Sequence, residues 1–444
     1  MLRRRARGCR GIVDRRDFLR VGGAGVFGIP LSLETLLGSQ RDVERAAKAK
    51  SVIVVFLKGG LSTIDTFDLK TEAPKEIRGE YKSIPTNVSG IEICEHLPRV
   101  ARVMDKFSLI RSFTHRNSSH GPADHYMLTG YHPTAGFNAG LTPNNQRPSH
   151  GAIVSKLFGP RGSVPPYVCL PDQHPSAGSS YLGANASPFV IGADPNAGDF
   201  TVPDLAPPLN IESSRVVSRK GLLETVDRFH KSVEARANTD AGTLGLFRRK
   251  AFELMTSSSA KTAFSIDEET KTTRDAYGRH SLGQCCLMAR RLVEAGVRSV
   301  LVDHRDWDTH SNNFETLKYE LLPQLDSAMA MLFRDLAERG LLESTLVIVT
   351  GEFGRTPRIN GNAGRDHWGP SFTVMLGGGG VEGGRVVGST VRTGDKPAEN
   401  PCGPEDLAAT LYHLLGVDAD HEFYTPEGRP VRIVNDGRVI RELL

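Results

Sequence analysis

Thr345–Gly369 is the stretch of the sequence that most constrains its fold. It opens with the apolar run Thr345–Val349, and a Thr-Gly turn then leads to Glu352. Short apolar runs bounded by turn residues are typical of strands buried inside an α/β sheet. Such sheets bind their ligands outside the carboxyl ends of the strands. We therefore expect Glu352 to lie in a functional site, and Asp366 and His367 follow it in the same stretch.

Apolar runs of the same kind alternate with amphipathic segments along the chain. This alternation predicts an α/β fold with helices on both faces of a sheet. The predicted strands are Ser51–Leu57, Phe107–Ile110, Arg298–Asp303, Thr345–Val349 and Phe372–Leu376. The predicted helices are Leu97–Met104, Lys220–Ala235, Thr243–Thr256, Ser281–Ala295, Phe314–Arg339 and Pro404–Leu415. In the tail, an Asp-Gly turn between Val431–Val434 and Arg438–Ile440 predicts a hairpin.

The first 48 residues are interpreted as an export leader. Arg15-Arg16, followed by Phe18-Leu19 and the weakly apolar run Val21–Leu37, is the pattern of a twin-arginine signal. The run is short and interrupted by Gly and Pro30, so it does not predict a membrane span. We expect a periplasmic or extracellular protein that meets the twin-arginine export machinery. Residues 49–444 are interpreted as a single domain with a loop-rich insertion around 134–220.

The basic charge of the chain is confined to the leader. Residues 1–40 hold eight Arg against three acidic residues, a charge of +5, and the whole chain carries +4, which leaves about −1 for the remainder. A basic patch is the electrostatic signature of nucleic-acid binding. Because the mature part has no such excess, we expect no nucleic-acid partner.

Acidic and imidazole side chains gather after the predicted strands. These candidates are Asp65, Asp308, His310, Glu352, Asp366 and His367. Carboxylates mixed with imidazoles suit zinc, manganese or iron, whereas a subset made only of oxygen ligands suits calcium or magnesium. The alternative is a network of ion pairs with Arg355, Arg358 and Arg365, because clustered carboxylates repel each other unless they are protonated or paired.

The run Ser112–Pro133 is rich in histidine. It holds four of the 14 histidines of the chain, namely His115, His120, His125 and His132, with Ser118, Ser119 and Asp124 among them. Histidine and serine together are the residue types of acid–base and nucleophilic catalysis. The alternative is a solvated polar loop with one or two histidines in the core.

Several motifs resemble those of the family known as domain of unknown function 1501. They are KGGLSTIDTFDLK at the end of the first strand, WDTH at 307–310, TGEFGRTP at 350–357 and GRDHW at 364–368. The resemblance implies a fold of the alkaline phosphatase/sulfatase type, a three-layer α/β sandwich with a mostly parallel central sheet. It implies little about the reaction.

The nucleophile motif of sulfatases has the same spacing here but different residues. His120 stands at the place of the nucleophilic Cys or Ser, and Asp124 at the place of the Arg. Chemistry based on formylglycine is therefore not expected at this position. Three routes remain: attack by a hydroxyl of Ser62, Ser118 or Ser119, attack by metal-activated water, or anion binding without turnover.

Together these features predict a metal-dependent hydrolase of phosphate or sulfate esters, such as those of polysaccharides. The predicted metal ligands are Asp65, Asp308, His310, Glu352, Asp366 and His367, and the metal is zinc, manganese or calcium. The predicted catalytic residues are His120, His125, Ser119 and Arg355. The alternative is a degenerate relative that binds ligands or has a structural role in the cell envelope.

Overall fold

The computed structural model describes residues 47–202 and 257–444. The leader up to residue 46 lies outside these ranges, and so do the predicted helices Lys220–Ala235 and Thr243–Thr256. Within the described part of the chain, no helix combines the length and the apolar character that a bilayer span requires.

An eight-stranded sheet forms the centre of the described structure. Its strands, numbered in chain order, are β1 Ser51–Leu57, β2 Phe107–Phe113, β3 Tyr167–Leu170, β4 Phe189–Val190, β5 Ser299–His304, β6 Thr345–Thr350, β7 Phe372–Gly377 and β8 Val386–Val387. Their order across the sheet is β8-β2-β7-β6-β1-β5-β3-β4. All neighbouring pairs are parallel except those of β7, which runs antiparallel to β2 and β6. The five strands predicted from apolar runs are therefore confirmed as strands of one sheet.

The continuous apolar character of the strands reflects burial on both faces of the sheet. Along β1, Ile53, Val55 and Leu57 point into one hydrophobic core, whereas Val52 and Phe56 point into a second core on the other face. A strand with a solvated face would alternate apolar and polar residues instead. The two cores confirm the predicted three-layer α/β sandwich.

In the two described ranges, five helices of eight or more residues cover the two faces of the sheet. They are α1 His120–Thr129, α2 His150–Phe158, α3 Ser281–Glu294, α4 Leu322–Glu338 and α5 Pro404–Leu414. Helices α3 and α4 contribute to the core with Ile53, and α1, α2 and α5 contribute to the other core. The predicted helix Phe314–Arg339 is divided into Asn313–Thr316, a π-helical segment Leu317–Leu321 and α4.

The remaining described elements are short. The helical ones of four or more residues are Lys75–Arg78, Val100–Lys106, Ser258–Phe264 and Lys271–Tyr277, and the second of these is a 3₁₀ helix where Leu97–Met104 was predicted as a helix. Two-stranded ribbons pair Ser83–Pro85 with Glu92–Cys94, Gly354–Arg355 with His367–Trp368, Ser389–Thr390 with Pro397–Glu399, and Glu422–Tyr424 with Pro430–Arg432. Within 134–220, the described part contributes α2 and the strands β3 and β4.

The predicted tail hairpin is wrong in its register. The observed ribbon pairs Glu422–Tyr424 with Pro430–Arg432, and residues 438–440 form no strand. Instead the end of the chain lies against α5, where Ile440 donates its N–H to the Thr410 hydroxyl at 2.9 Å. Ile440 is buried in the adjoining core, so packing against the helix replaces the expected strand pairing.

The reversed direction of β7 decides which loops meet at one edge of the sheet. Strands β1, β2, β5 and β6 all end at the same edge, whereas β7 begins there. Residues that follow the parallel strands therefore lie beside residues that precede β7. The ribbon between Gly354–Arg355 and His367–Trp368 holds this junction together.

Candidate metal centre

Acidic and imidazole side chains from four chain segments converge at this edge of the sheet. The segments supply Asp308 and His310 after β5, Glu352 after β6, Asp366 and His367 before β7, and His120 as the first residue of α1. The ligand atoms of His120, Asp308 and His367 all lie within 4.8 Å of one another. Five of the six residues predicted as metal ligands are thus brought together, and His120 joins them.

His120 is held between two carboxylates. Its Nδ1 lies 2.6 Å from Glu352 Oε1, and its Nε2 lies 3.1 Å from Asp308 Oδ2. These two hydrogen bonds raise the pKa of His120 to about 9, since both favour the protonated ring. A neutral ring has one N–H only. If that hydrogen is on Nδ1, it is donated to Glu352, the closer of the two carboxylates. The Nε2 lone pair then faces Asp308, an arrangement that calls for a proton or a cation between them.

His310 and His367 are oriented in the same way. His310 Nδ1 lies 2.8 Å from Asp366 Oδ1, and His367 Nδ1 lies 3.0 Å from the carbonyl oxygen of Ser118. Both acceptors are oxygen atoms, so in a neutral ring that donates from Nδ1 the Nε2 atom presents a lone pair. The two Nε2 atoms are 2.9 Å apart. The carbonyl of Ser118 is a backbone contact that no side-chain pattern in the sequence indicates.

Asp308 lies where these lone pairs meet. Its Oδ1 is 3.1 Å from Nε2 of both His310 and His367, and its Oδ2 faces His120. Metal-binding histidines usually donate their second ring N–H to a carboxylate or a carbonyl, which fixes the tautomer. All three rings show this arrangement. The donor set of one carboxylate and three imidazoles fits a divalent transition metal.

Glu352 contacts the cluster from its buried side. It is fully buried, and its two carboxylate oxygens accept the N–H of Gly59 at 2.9 and 3.0 Å while Oε1 also contacts His120. Gly59 adopts φ +110, and a Cβ at this position would lie 2.5 Å from the Asp308 nitrogen, so only glycine fits. Burial raises the pKa of Glu352, and the charge of Asp124 adds to the effect. Glu352 is placed to orient His120.

Arg355 fixes Asp308 rather than facing solvent. Its side chain is fully buried, and Nη2 donates to Asp308 Oδ1 at 2.5 Å. Its other N–H groups donate to the carbonyls of Gly59, Gly60, Trp307 and Arg365. Burial alone would raise the pKa of Asp308, but hydrogen bonds from Arg355 and from the protonated rings of His120 and His367 outweigh it and hold this pKa below its usual range.

Asp65 lies apart from the cluster. It is buried and receives two hydrogen bonds from the Arg365 guanidinium, Nε to Oδ2 at 2.8 Å and Nη2 to Oδ1 at 2.7 Å. Ser62 and Asn313 complete its contacts at 2.6 and 2.9 Å. Its oxygens are thus satisfied within an ion pair of the kind that the sequence offered as the alternative to metal binding. The same contact places the Ser62 hydroxyl on Asp65.

His125 also lies apart from the cluster, on the buried face of α1. Its Nδ1 lies 2.9 Å from the Tyr131 carbonyl, and its Nε2 accepts the N–H groups of Gln146 and Arg147 at 3.1 and 3.3 Å. Burial lowers the pKa of His125 to about 4, so the ring is neutral at pH 7. With both nitrogens occupied, it holds the loop after α1 in place.

Ser119 precedes His120 at the start of α1 and is exposed. The helix begins here because Asn117 Oδ1 accepts the Ser119 N–H at 2.9 Å and Pro122 suits the first turn. The side chain of Ser119 makes no capping hydrogen bond. Its neighbour Ser118 accepts the N–H of Gly369 with its hydroxyl at 3.0 Å.

Comparison with solved structures finds enzymes of low sequence identity. The lipoteichoic acid synthase LtaP from Listeria monocytogenes matches with a TM-score of 0.38 and 10% identity over 88% of this chain and 76% of that one. PsFucS1 sulfatase from Pseudoalteromonas sp. gives 0.38 and 13% over 86% and 72%. Phosphonate monoester hydrolase SpPMH from Silicibacter pomeroyi gives 0.39 and 10% over 89% and 76%. At these TM-scores we transfer neither activity nor substrate.

Comparison with models of protein families gives a match over most of the chain. No curated protein matches the chain. The family model described as "Protein of unknown function (DUF1501)" matches residues 49–444, which is nearly the whole sequence. Three of the motifs that carry the resemblance, WDTH, TGEFGRTP and GRDHW, supply all the side chains of the cluster except His120. The chain belongs to the DUF1501 family.

Proposed function

We propose that this protein is a metal-dependent hydrolase of phosphate or sulfate esters. The observation that carries the proposal is the convergence of three imidazole Nε2 atoms on Asp308, each ring fixed by an oxygen acceptor at its Nδ1. An ion-pair network alone needs no such common orientation of three tautomers. In this proposal Asp308, His120, His310 and His367 hold the metal, and this imidazole-rich set favours zinc, manganese or iron over calcium.

A divalent metal bound there would supply Lewis-acid polarisation of an ester oxygen and lower the pKa of water. The chain supplies orientation: Glu352 and Asp366 hold the Nδ1 protons of His120 and His310, and Arg355 positions Asp308. Ser119 is the candidate protein nucleophile, because it is exposed next to His120, whereas Ser62 is buried against Asp65 and the Ser118 hydroxyl accepts the N–H of Gly369.

The surroundings of the cluster favour an anionic substrate that is accessible from solvent. The side chains of Asp308, His310 and His120 are 40%, 43% and 36% exposed, so an ester on a polysaccharide chain can approach. The amino-terminal end of α1 lies at the cluster, and helix amino termini attract anions. The twin-arginine pattern at Arg15-Arg16 supports a location of this activity outside the cytoplasm, in the periplasm or beyond it.

The metal content of the purified full chain tests the proposal. We expect about one equivalent of a transition metal per chain when no chelator is used. His367→Ala and His310→Ala should each reduce this content at least about tenfold, because each removes an Nε2 donor. His132→Ala is the matched control, since His132 is exposed and contacts Asn117 and Pro133 outside the cluster. Equal metal content in His367→Ala and the parent would contradict the proposal.

Hydrolysis of chromogenic phosphate, phosphonate and sulfate esters completes the test. Turnover by the parent should disappear in His367→Ala and persist in His132→Ala. Ser119→Ala distinguishes the two remaining routes: complete loss with retained metal indicates attack by the hydroxyl, and retained turnover indicates attack by water. A metal-loaded parent with no turnover on any ester class would favour the alternative of a binding protein.

A further inference from the structure

A second group of ionisable side chains lies buried behind Glu352. It consists of Asp124 in α1, His174 in the loop after β3, and Asp303 near the end of β5. Their exposed fractions are 3%, 0% and 2%. None of them contributes to the metal centre proposed above. Asp124 stands close enough to Glu352 for its charge to raise the pKa of Glu352.

Polar atoms in this group have no hydrogen-bond partner among the residues that the structure describes. Both carboxylate oxygens of Asp303, Oδ1 of Asp124 and Nε2 of His174 are in this situation. His174 Nε2 lies 3.7 Å from Asp124 Oδ1, which is too long for a hydrogen bond. Buried polar groups in native proteins are almost always satisfied, so an unpaired set points to a bound water or ion.

The tautomer of His174 shows what kind of ligand fits. Its Nδ1 accepts the N–H of Ser176 at 3.0 Å, so in the neutral ring the proton is on Nε2. His174 therefore faces Asp124 with an N–H and cannot present a lone pair to a metal. The acceptors that remain open are carboxylate oxygens. Cations that prefer oxygen ligands are the hard divalent ions.

The local charge balance also calls for a cation. Glu352, Asp124 and Asp303 place three acidic groups in a buried region, and the positively charged side chains that act on Asp303 are Lys58 and Arg305. Burial lowers the pKa of His174 to about 4, so its ring is neutral at pH 7. Arg305 pairs with Asp172 at the surface at 3.3 Å. Lys58 acts on both Asp124 and Asp303, and burial nevertheless raises the pKa of both carboxyl groups. An isolated buried carboxylate is costly unless it is paired, protonated or bound to a metal.

We propose that Asp124 and Asp303 bind a hard divalent cation, Mg²⁺ or Ca²⁺, in a second site behind Glu352. His174 borders this site with its Nε2–H, 3.7 Å from Asp124 Oδ1, and is not a ligand. This site is distinct from the imidazole cluster in its ligands, and its occupancy does not depend on the proposed hydrolase activity.

Thermal unfolding of the full chain with the metal ion as the probe tests the second site. The His367→Ala background removes one imidazole donor of the first site, and chelator-treated protein is then titrated with Mg²⁺ or Ca²⁺. We expect at least one of these ions to raise the Tm by roughly 5 °C or more at saturation. The same titration of His367→Ala/Asp303→Asn and His367→Ala/Asp124→Asn should give no shift, because each lacks a carboxylate ligand.

The Asn variants also report on folding without metal. Because they remove an unpaired buried charge and keep the side-chain shape, we expect them to unfold in chelator at a Tm equal to or above that of their parent. An equal ion-induced shift in the Asp303→Asn variant and its parent would overturn the proposal. The absence of a Tm shift with both Mg²⁺ and Ca²⁺ would also overturn the proposal. A large loss of Tm in Lys58→Met would then identify Lys58 as the counter-charge.

Discussion

At the scale of single residues, the structure separates groups that face the cluster from groups that orient it. His120 was expected to act in acid–base catalysis and Glu352 to bind a metal directly. In the structure the Nε2 of His120 faces Asp308, whereas Glu352 is buried beneath and contacts His120 Nδ1. Such supporting carboxylates fix the tautomer of a ligand and increase its basicity.

The role proposed for Glu352 can be tested by metal affinity. Glu352→Gln keeps the shape of the side chain but removes the negative charge that holds the Nδ1 proton of His120. We expect the metal affinity of the imidazole cluster to fall about 10- to 100-fold, measured by competition with a chromogenic chelator. Asp366→Asn should show a smaller loss, because Asp366 is 56% exposed and solvent screens its charge. Unchanged affinity in Glu352→Gln would refute the role.

Asp65 gives the opposite prediction, namely a loss of stability without a loss of metal. Asp65→Asn leaves the Arg365 guanidinium buried without its carboxylate partner, and we expect the free energy of unfolding to fall by about 3–5 kcal/mol. Urea unfolding measures the change, and elemental analysis should show unaltered metal content. Asp172→Asn breaks the exposed pair with Arg305 and should cost less than about 1 kcal/mol. Loss of metal in folded Asp65→Asn would restore Asp65 as a ligand.

At the scale of secondary-structure elements, the apolar runs predicted the five principal strands because a strand buried on both faces has an unmistakable composition. Ser51–Leu57 was predicted with the bounds that the structure shows. The short strands Phe189–Val190 and Val386–Val387 were not predicted as strands, since two residues carry no periodic signal. The tail hairpin failed because α5 provides hydrogen-bond partners that compete with strand pairing.

The direction of β7 is an element-scale property that the sequence does not reveal. Asp366 and His367 were expected near the carboxyl ends of strands, yet they precede a strand. They reach the same edge because β7 runs antiparallel to β2 and β6. Strand direction depends on long-range pairing, and no local pattern in Phe372–Gly377 distinguishes the two directions.

At the scale of the whole molecule, buried neutral histidines should make the protein sensitive to acid. Burial lowers the pKa of both His125 and His150 to about 4, below the value of 6.5 for an exposed ring. Their contribution to stability is therefore complete above about pH 6.5 and is lost as the pH falls towards 4, because only the unfolded state takes up the protons.

Urea unfolding at pH 7.5, 6 and 5 checks this expectation. The measurement is made in chelator, so that metal loss does not contribute. The free energy of unfolding should decrease less steeply with falling pH in His125→Gln than in the parent, because the variant has one fewer group to protonate. The same pH dependence in both proteins would show that His125 does not contribute.

The sequence by itself determined the family, the apolar runs that form the central sheet, and the polar segments that supply the site, because these depend on local composition and motif. Only the tertiary structure decided which of those residues face the cluster. It paired Asp65 with Arg365, turned His125 towards Tyr131, and set Glu352 beneath His120. The physical reason is that the role of an acid or an imidazole depends on which of its atoms is already bonded, and those partners lie up to 300 residues away in the chain.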